Sequence, residues 1–314
     1  MKIVALAGGV GGAKLVDGLA QVLSPQDLTV IVNTGDDLTH YGLRICPDLD
    51  TVCYTLAGLA NPGTGWGQVN ETWQVMQAIK TLGGSTWFNL GDRDLGVHLE
   101  RTRQIQAGES LSQITRAFCS SWGVKVTVLP MSDEVVATQV ITTLEGELPF
   151  QEYFVHRQCR PEVKGFRFAG IEQAQPAPGV MEALHGADAI IFCPSNPWVS
   201  IDPILCVPGL REMVAKRPVI AISPLIQGQA VKGPAAKMYR ELGLIPSALS
   251  VADHYRELLS GFILDHSDQQ QVDEISRWGI ITLATDILIP TGEERRRLAE
   301  EILVFCEKII VQRR

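Results

Sequence analysis

Short runs of apolar residues recur along the chain, and each run ends in a cluster of Gly, Pro, Asn, Ser or Asp. The runs cover residues 3–7, 28–32, 87–90, 189–193, 219–222 and 262–264. Continuous apolar runs of this length are typical of parallel strands that are buried on both faces. Helix-like segments at 14–23, 71–82, 111–122, 208–215 and 235–242 lie between them. This alternation predicts an α/β fold with a doubly wound, mostly parallel, Rossmann-like sheet.

Two further stretches differ from this alternation. Residues 124–171 combine β-like runs with a charged, aromatic segment, and we predict a smaller β-rich subdomain inserted into a single domain that spans residues 1–314. Near the C-terminus, apolar residues at 298, 302, 305, 309 and 310 have helical spacing. Thr291 and Glu294 precede them at the spacing of a capping box. We therefore predict a final docking helix over residues 293–311.

The polar clusters at the ends of the apolar runs are the expected location of function. They cover residues 8–12, 33–37, 91–94, 194–197 and 224–228. Open α/β sheets bind ligands in the crevice outside the carboxyl ends of their strands. The loops are therefore expected to form one composite site.

Composition and charge narrow the classes of function. The chain has 27 Lys and Arg against 35 Asp and Glu, so its formal net charge is −8. Broad binding to nucleic acid or to an anionic membrane is not expected of such a chain. An anionic ligand would need local donors, such as backbone N–H groups, an Arg or a metal ion.

Cellular location and cysteine chemistry can also be inferred from the sequence. There is no charged leader and no long apolar run, so a cytoplasmic location is expected. The seven cysteines include no C-x-x-C pair and are expected to be structural thiols. The six histidines show no metal-ligand spacing, which argues against zinc chemistry.

The first glycine cluster, residues 8–12, matches neither common nucleotide-binding template. A P-loop needs Ser or Thr after Gly-Lys, and here Lys14 follows Ala13 and is followed by Leu15. The dinucleotide fingerprint needs a third glycine or alanine where Lys14 stands. Backbone N–H groups of Gly9, Gly11 and Gly12 can still meet an anion at a helix N-terminus. The alternative is a tight strand-to-helix turn without a ligand.

Acidic residues dominate the second group of loops. Asp36, Asp37, Asp48 and Asp50 lie within fifteen residues. Carboxylates beside a phosphate site often bind Mg²⁺, which bridges substrate phosphates, and one of them can accept a proton from an attacking hydroxyl. Helix caps and turns are the alternative role for such aspartates.

Two later loops add side chains that could recognise a ligand. Arg93 stands between two aspartates, where its guanidinium could face a phosphate or a ring carbonyl, or could simply pair with the acids. Ser195 and Asn196 follow an apolar run and suit either a phosphate-gripping loop or an Asn-Pro turn. Lys232 offers a flexible cation on the next loop.

Taken together, the motifs resemble one family. In chain order they cover residues 7–14, 33–37, 45–51, 65–67 with 71–73, 90–95, 129–133, 194–197 and 233–235. This set closely resembles the 2-phospho-L-lactate transferase family of coenzyme F420 biosynthesis, called CofD in archaea and FbiA in actinobacteria. The resemblance extends over nearly the whole chain.

The resemblance implies a transferase that moves a phospholactyl or phosphoenolpyruvyl group. The donor would be lactyl- or enolpyruvyl-diphosphoguanosine, and the acceptor the ribityl hydroxyl of the deazaflavin Fo. The products would be F420-0, or its dehydro form, and GMP. Mg²⁺ would be the cofactor and the protein would be a homodimer. The form of the glycine loop is similar to the phosphoenolpyruvyl branch, whereas Lys14 and Asn70 depart from it, so both donors stay open.

Site residues follow from matching positions. Asp50 and Arg93 correspond to residues that contact the deazaflavin, and Asp50 is also the candidate catalytic base. Asp36, Asp37 and Asp50 are expected to bind Mg²⁺. The loop with Gly9, Gly11 and Gly12 and the pair Ser195 and Asn196 are expected to hold the guanosine diphosphate. Asn33 and Lys14 are also expected to bind substrate. The alternative is a non-catalytic regulatory protein that binds nucleotide-sugars on a similar fold.

Overall fold

The computed structural model describes residues 1–313. The strands are Ile3–Ala7 (β1), Leu28–Val32 (β2), Leu38–His40 (β3), Leu43–Ile45 (β4), Thr127–Pro130 (β5), Ala137–Thr142 (β6), Glu147–Pro149 (β7), Val163–Ala169 (β8), Ala189–Phe192 (β9), Val219–Ile222 (β10), Leu225–Ile226 (β11), Gln229–Ala230 (β12), Gly261–Asp265 (β13) and Ile281–Thr285 (β14). The α-helices are Gly9–Val22 (α1), Pro47–Leu56 (α2), Gln74–Thr81 (α3), Asp92–Gln106 (α4), Leu111–Ser121 (α5), Val180–Gly186 (α6), Asp202–Cys206 (α7), Leu210–Val214 (α8), Ala235–Glu241 (α9), Ala248–His254 (α10), Val272–Ser276 (α11) and Gly292–Arg313 (α12).

Seven strands form one parallel sheet in the order β14-β13-β10-β9-β1-β2-β5. The chain winds outward from β1 in one direction through β2 and β5, and from β9 in the other direction through β10, β13 and β14. The strand order therefore reverses between β1 and β9, which is where such sheets open a ligand crevice. The predicted doubly wound α/β sheet is confirmed.

Both faces of the central sheet are buried, as its continuous apolar strands require. Along β1, Val4 and Leu6 belong to one core cluster, whereas Ile3, Ala5 and Ala7 belong to the other. The first cluster also contains apolar residues of α6 and α10, and the second contains apolar residues of α1 and α12. The helices therefore shield the sheet from water on both sides.

The prediction of a strand at residues 87–90 is wrong. The structure has no strand there and gives Trp87 and Phe88 a half-buried place in a loop. Their rings pack edge-on against each other and against the ring of His40. Aromatic packing, rather than pairing in a sheet, explains the apolar character of this run.

The stretch 124–171 contains a second, smaller sheet. Strands β6, β7 and β8 pair antiparallel in the order β7-β6-β8, whereas β5 joins the central sheet beside β2. Val140 and Tyr153 of this stretch share a buried cluster with Val199 and Met238 from outside it. The small sheet is thus attached to the rest of the protein through a shared hydrophobic cluster. Its status as a separate subdomain stays a prediction.

The C-terminal helix α12 is confirmed at the predicted position. The Thr291 backbone N–H donates to Glu294 Oε2 at 2.8 Å, and the Glu294 N–H donates to Thr291 Oγ1 at 3.3 Å, which completes the capping box. Leu298, Ile302 and Ile309 are buried against the body of the protein. No helix within residues 1–313 is long and apolar enough to cross a bilayer. All seven cysteines are free thiols.

Candidate active site

A cavity of about 830 Å³ opens at the carboxyl ends of the central strands. It is lined by the loops that follow β1, β9, β10 and β14 and by Asp36 from the loop after β2. A cavity of this volume suits a nucleotide-sized ligand. The predicted composite site is therefore present at the edge of the sheet where the strand order reverses.

The glycine loop and the loop after β9 are held together by tight contacts. Ser195 Oγ donates to the Gly8 carbonyl at 2.8 Å and accepts the Gly8 N–H at 3.3 Å. Any side chain on Gly11 would overlap the Pro194 carbonyl, and a Cβ on Gly12 would lie 2.8 Å from Ser195 Oγ. Glycine is required here by the approach of this second loop, and the N-terminus of α1 is left facing the cavity.

Two lysines line the cavity near this helix terminus, Lys14 on α1 and Lys232 before α9. Burial lowers the pKa of Lys14, and so do the positive charges of Arg295 and Lys232. Lys232 donates from Nζ to the Thr64 carbonyl. Crowded, partly desolvated cations beside a helix N-terminus are stabilised by a bound anion.

Asp36 and Asp48 form an acidic pair on the cavity wall. Burial and the charges of Asp48 and Asp37 raise the pKa of Asp36 well above its ordinary value. Burial raises the pKa of Asp48 to about 6, although Asn33 Nδ2 donates to its Oδ2 at 2.9 Å. Asp36 Oδ1 is buried without a hydrogen-bond partner among the described residues.

This pair fits a divalent cation, because two desolvated carboxylates repel each other until a positive charge lies between them. Within residues 1–313, no group of three or more His, Cys, Asp or Glu side chains is arranged to hold a metal ion. A hard cation here would therefore complete its ligand set with water and substrate phosphate oxygens.

Four residues predicted to bind ligands do not line the cavity: Gly12, Asn33, Asp37 and Arg93. The Asp37 carboxylate pairs with the Arg44 guanidinium at 2.8 Å, and its side chain is fully buried. Asn33 is also fully buried, and besides Asp48 its amide donates to the Val199 carbonyl at 3.1 Å. The contacts of Asn33 position Asp48, so its role in the structure is to support the cavity wall.

Asp50 lines the cavity, but its carboxylate already has a partner. Arg101 on α4 donates to both of its oxygens, at 3.1 Å from Nη1 to Oδ2 and through a short contact from Nη2 to Oδ1. Arg101 is 2% exposed. His98 Nδ1 lies 3.3 Å from Arg101 Nη1, and burial lowers the pKa of His98 to about 4.

Asp94, one turn before His98 on α4, also lines the cavity. Its Oδ1 is buried and has no hydrogen-bond partner among residues 1–313. Burial raises its pKa to about 6, and the negative charge of Asp50 adds to the shift. Asp94 is thus a desolvated acid on the cavity wall, and one of its oxygens is buried without a partner among the described residues.

Arg93 does not line the cavity, and its side chain is exposed. Its backbone N–H donates to Glu71 Oε1 at 2.7 Å, as part of the cap of α4. Aromatic rings supply the apolar part of the wall: Trp66, Trp87, Phe88 and Phe154. Flat aromatic surfaces suit a planar heterocycle.

Sequence reasoning placed Gly9, Gly11, Lys14, Asp36, Asp50, Ser195 and Asn196 on the cavity wall, as the structure has them. It overlooked Asp94, His98 and Arg101. These three residues are four and three positions apart, which places them on one face of a helix. This spacing could have indicated in the sequence that they lie together. The mistaken prediction of a strand at 87–90 drew attention away from this helical spacing, because the helix α4 begins two residues later, at Asp92.

Comparisons with known proteins point to one family. The family model described as 2-phospho-L-lactate transferase CofD matches residues 3–288. A phosphoenolpyruvate transferase of Streptomyces griseus is 43% identical over 98% of this chain and 99% of its own length. A phosphoenolpyruvate transferase of Kitasatospora aureofaciens is 44% identical over the same shares of both chains. A 2-phospho-L-lactate transferase of Methanosarcina acetivorans is 38% identical over 98% of this chain and 100% of its own.

A solved structure of low sequence identity has a similar fold. A crystal structure of a upf0052 family protein from Bacillus halodurans superposes with a TM-score of 0.61 at 14% identity. The match covers 96% of this chain and 98% of that chain. At this identity the likeness concerns the fold alone.

Proposed function

This chain belongs to the 2-phospho-L-lactate transferase family CofD and is a transferase enzyme, and we propose that it acts on the deazaflavin Fo. The group transferred is phosphoenolpyruvyl or phospholactyl, and the donor is enolpyruvyl- or lactyl-diphosphoguanosine, in which the phosphate of that group is joined to GMP. The ribityl hydroxyl of Fo attacks the terminal phosphorus of the donor. GMP leaves, and dehydro-F420-0 or F420-0 is formed.

The observation that carries this proposal is the composition of a single cavity. It joins a helix N-terminus, two lysines and an acidic pair, which suit a diphosphate with a cation, to aromatic rings that suit a planar acceptor. Phosphoryl transfer depends mainly on holding donor and acceptor in line and on neutralising charge. A cavity with a charged wall for the diphosphate and an aromatic wall for the acceptor can hold both substrates side by side.

The chain's own residues position the donor. The N-terminus of α1 and the Ser195-Asn196 loop hold the phosphates and guanosine, while Lys14 and Lys232 offset their charge. Asp36 and Asp48 are the residues that would hold Mg²⁺. The bound cation would neutralise charge on the transferred phosphoryl group. Asp50, fixed by Arg101, is available to orient Fo.

The greater identity to the phosphoenolpyruvate transferases supports the enolpyruvyl donor. The same glycine loop and lysines would serve either donor, because the two differ only in the three-carbon unit. Product mass therefore decides between them.

The test is a reconstituted reaction. The protein is incubated with Fo, Mg²⁺, GTP, a partner guanylyltransferase and either phosphoenolpyruvate or phospholactate, and the product is identified by mass spectrometry. We expect Fo to be converted to one product with release of GMP. Unchanged Fo with both donors, together with tight binding of a UDP-sugar, would instead establish the regulatory alternative.

The cation site is tested by Asp48→Asn, with Asp253→Asn on the exposed surface of α10 as the matched control. Loss of a charged ligand should raise the Mg²⁺ concentration for half-maximal rate by more than about 10-fold. The control should match the unmodified protein. An unchanged Mg²⁺ dependence in Asp48→Asn would remove this residue from the site.

A further inference from the structure

We propose that Asp94 is the catalytic base of this transferase, and that Arg101 keeps Asp50 in a binding role. The inference deepens the proposed function and rests on it. It assigns the proton of the attacking hydroxyl to a residue of α4, and not to the aspartate of α2 that the sequence motif suggests.

Asp50 is poorly suited to accept a proton. Arg101 donates to both carboxylate oxygens, and both side chains are almost fully buried. Both Asp50 oxygens are therefore already occupied by guanidinium N–H donors, and neither is left free to accept the proton of a substrate hydroxyl. Arg101 is therefore a positioning residue, because it holds the Asp50 carboxylate in one orientation and does not itself line the cavity.

His98 is equally unsuited, although it also lines the cavity. Its Nδ1 lies against the Arg101 guanidinium at 3.3 Å, and its neighbourhood disfavours a second positive charge. Protonation of the ring would place two cations in contact inside the protein. The buried imidazole is thus expected to stay neutral during turnover.

Asp94 meets the requirements that Asp50 and His98 fail. It lines the cavity from the first turn of α4, its side chain is 8% exposed, and its Oδ1 has no hydrogen-bond partner within the described chain. Asp50 and Tyr54 face it from α2, and Glu71 and Gln68 from the segment before α3. A pKa of about 6 supports the role, since such a carboxylate is ionised at neutral pH yet more basic than an ordinary one.

The proton and bonds balance in one displacement. The ribityl oxygen forms a bond to the terminal phosphorus of the donor, and the bond from that phosphorus to the bridging oxygen breaks. The hydroxyl proton moves to the Asp94 carboxylate. GMP carries away the electron pair of the broken bond, and the protonated Asp94 returns its proton to water after product release.

The experiment compares Asp94→Asn and Asp94→Ala with the unmodified enzyme in the reconstituted reaction. Turnover is measured with saturating donor, and Fo binding is measured separately by fluorescence titration. Glu100→Gln, an exposed acid on the same helix, is the matched control. Sodium formate is added to each variant as a small replacement base.

We expect kcat to fall by more than about 100-fold in both Asp94 variants while the Kd for Fo stays within about 3-fold. Formate should restore part of the rate in Asp94→Ala, whose cavity admits it, and none in Glu100→Gln. Near-normal kcat in Asp94→Asn would overturn the proposal.

A loss of rate that follows a loss of Fo binding, without rescue by formate, would also overturn it and leave Asp94 as a binding residue. If one variant does not fold, as judged by thermal melting, the other decides the result. An unmodified enzyme that leaves Fo unchanged refutes the proposed function itself, so the two failures are distinct.

Discussion

At the scale of single residues, the ion pair between Asp50 and Arg101 is an almost fully buried charge pair beside the cavity. Arg101 is enclosed by α2, α4 and α5, and its guanidinium also lies 5.8 Å from the centre of the Phe118 ring. A charge this deeply buried is tolerated only because its partner is present. The pair therefore links the stability of the fold to the geometry of the site.

Arg101→Met is expected to destabilise the protein by about 3–5 kcal/mol, because it leaves the Asp50 carboxylate buried without compensation. Urea unfolding of the purified variant measures the loss. Adding Asp50→Asn to the same protein should recover part of it, since no unpaired charge then remains. A loss below about 1 kcal/mol would mean that water reaches Asp50.

His98 predicts a pH dependence of stability. Its pKa lies near 6.5 in an unfolded chain and is lowered to about 4 in the fold, mainly by burial. Between pH 7 and pH 4 the unfolded chain therefore gains a proton that the folded protein does not bind. The stability that neutral His98 provides is present above pH 6.5 and is lost as the pH falls.

The measurement is the free energy of unfolding of the unmodified protein minus that of His98→Gln, at several pH values. The difference should fall by about 3 kcal/mol between pH 7 and pH 4. Other titrating groups are common to both proteins and largely cancel. A difference that does not change with pH would show that His98 is charged or solvated in the fold.

Several residues of the site could be read from the sequence because short polar residues after an apolar run mark the carboxyl end of a strand. This reasoning located Gly9, Asp36 and Ser195. It could not tell which acids are paired, since the partner Arg101 lies in another element. Asp37 and Asp50 looked alike in the sequence. In the structure, Asp37 pairs with Arg44 outside the cavity, whereas Asp50 lines the cavity.

At the scale of elements, the contact between α1 and α12 is the closest helix packing that a glycine permits. A Cβ on Gly18 would overlap the backbone carbonyl of Arg295. Gly18→Ala is expected to cost about 1–3 kcal/mol, because the two helices must move apart. Thermal and urea unfolding measure the change.

Gly96→Ala is the matched control for this substitution. Gly96 lies within α4, is exposed, and has open space around the position of a Cβ. The same change should therefore stabilise the protein by about 0.5–1 kcal/mol through helix propensity alone. Equal effects at both positions would show that the α1–α12 contact imposes no steric limit.

Strands could be predicted where both faces are buried, and β1, β2 and β10 have the predicted bounds. The edge strand β14 was missed because its sequence, Ile-Thr-Leu-Ala-Thr, is not a continuous apolar run and most of its residues are half-buried. The run at 87–90 failed for the opposite reason, since its apolar residues pack as rings in a loop. Apolar runs indicate burial, but they do not show which neighbour provides it.

At the scale of the whole molecule, the cavity is assembled from both ends of the chain. Gly8 and Ile289 line the same space, together with residues from the segments 36–98, 150–155, 194–200 and 223–235. The net charge of −8 would repel an anionic donor at long range. The two lysines, the N-terminus of α1 and a cation held by Asp36 and Asp48 would offset negative charge where the donor binds, so affinity should depend on these few groups and little on overall charge.

The position of β1 in the sheet also bears on how the protein is made. On the ribosome, β1 can pair with β2 early, but its other edge stays open until β9, in the second half of the chain, has left the exit tunnel. An open apolar strand edge invites pairing with a wrong chain, and sheets with distant partners form slowly. We expect nascent chains that end before residue 189 to aggregate, so the yield of active protein depends on the rate of synthesis and on chaperones as much as on the stability of the finished fold.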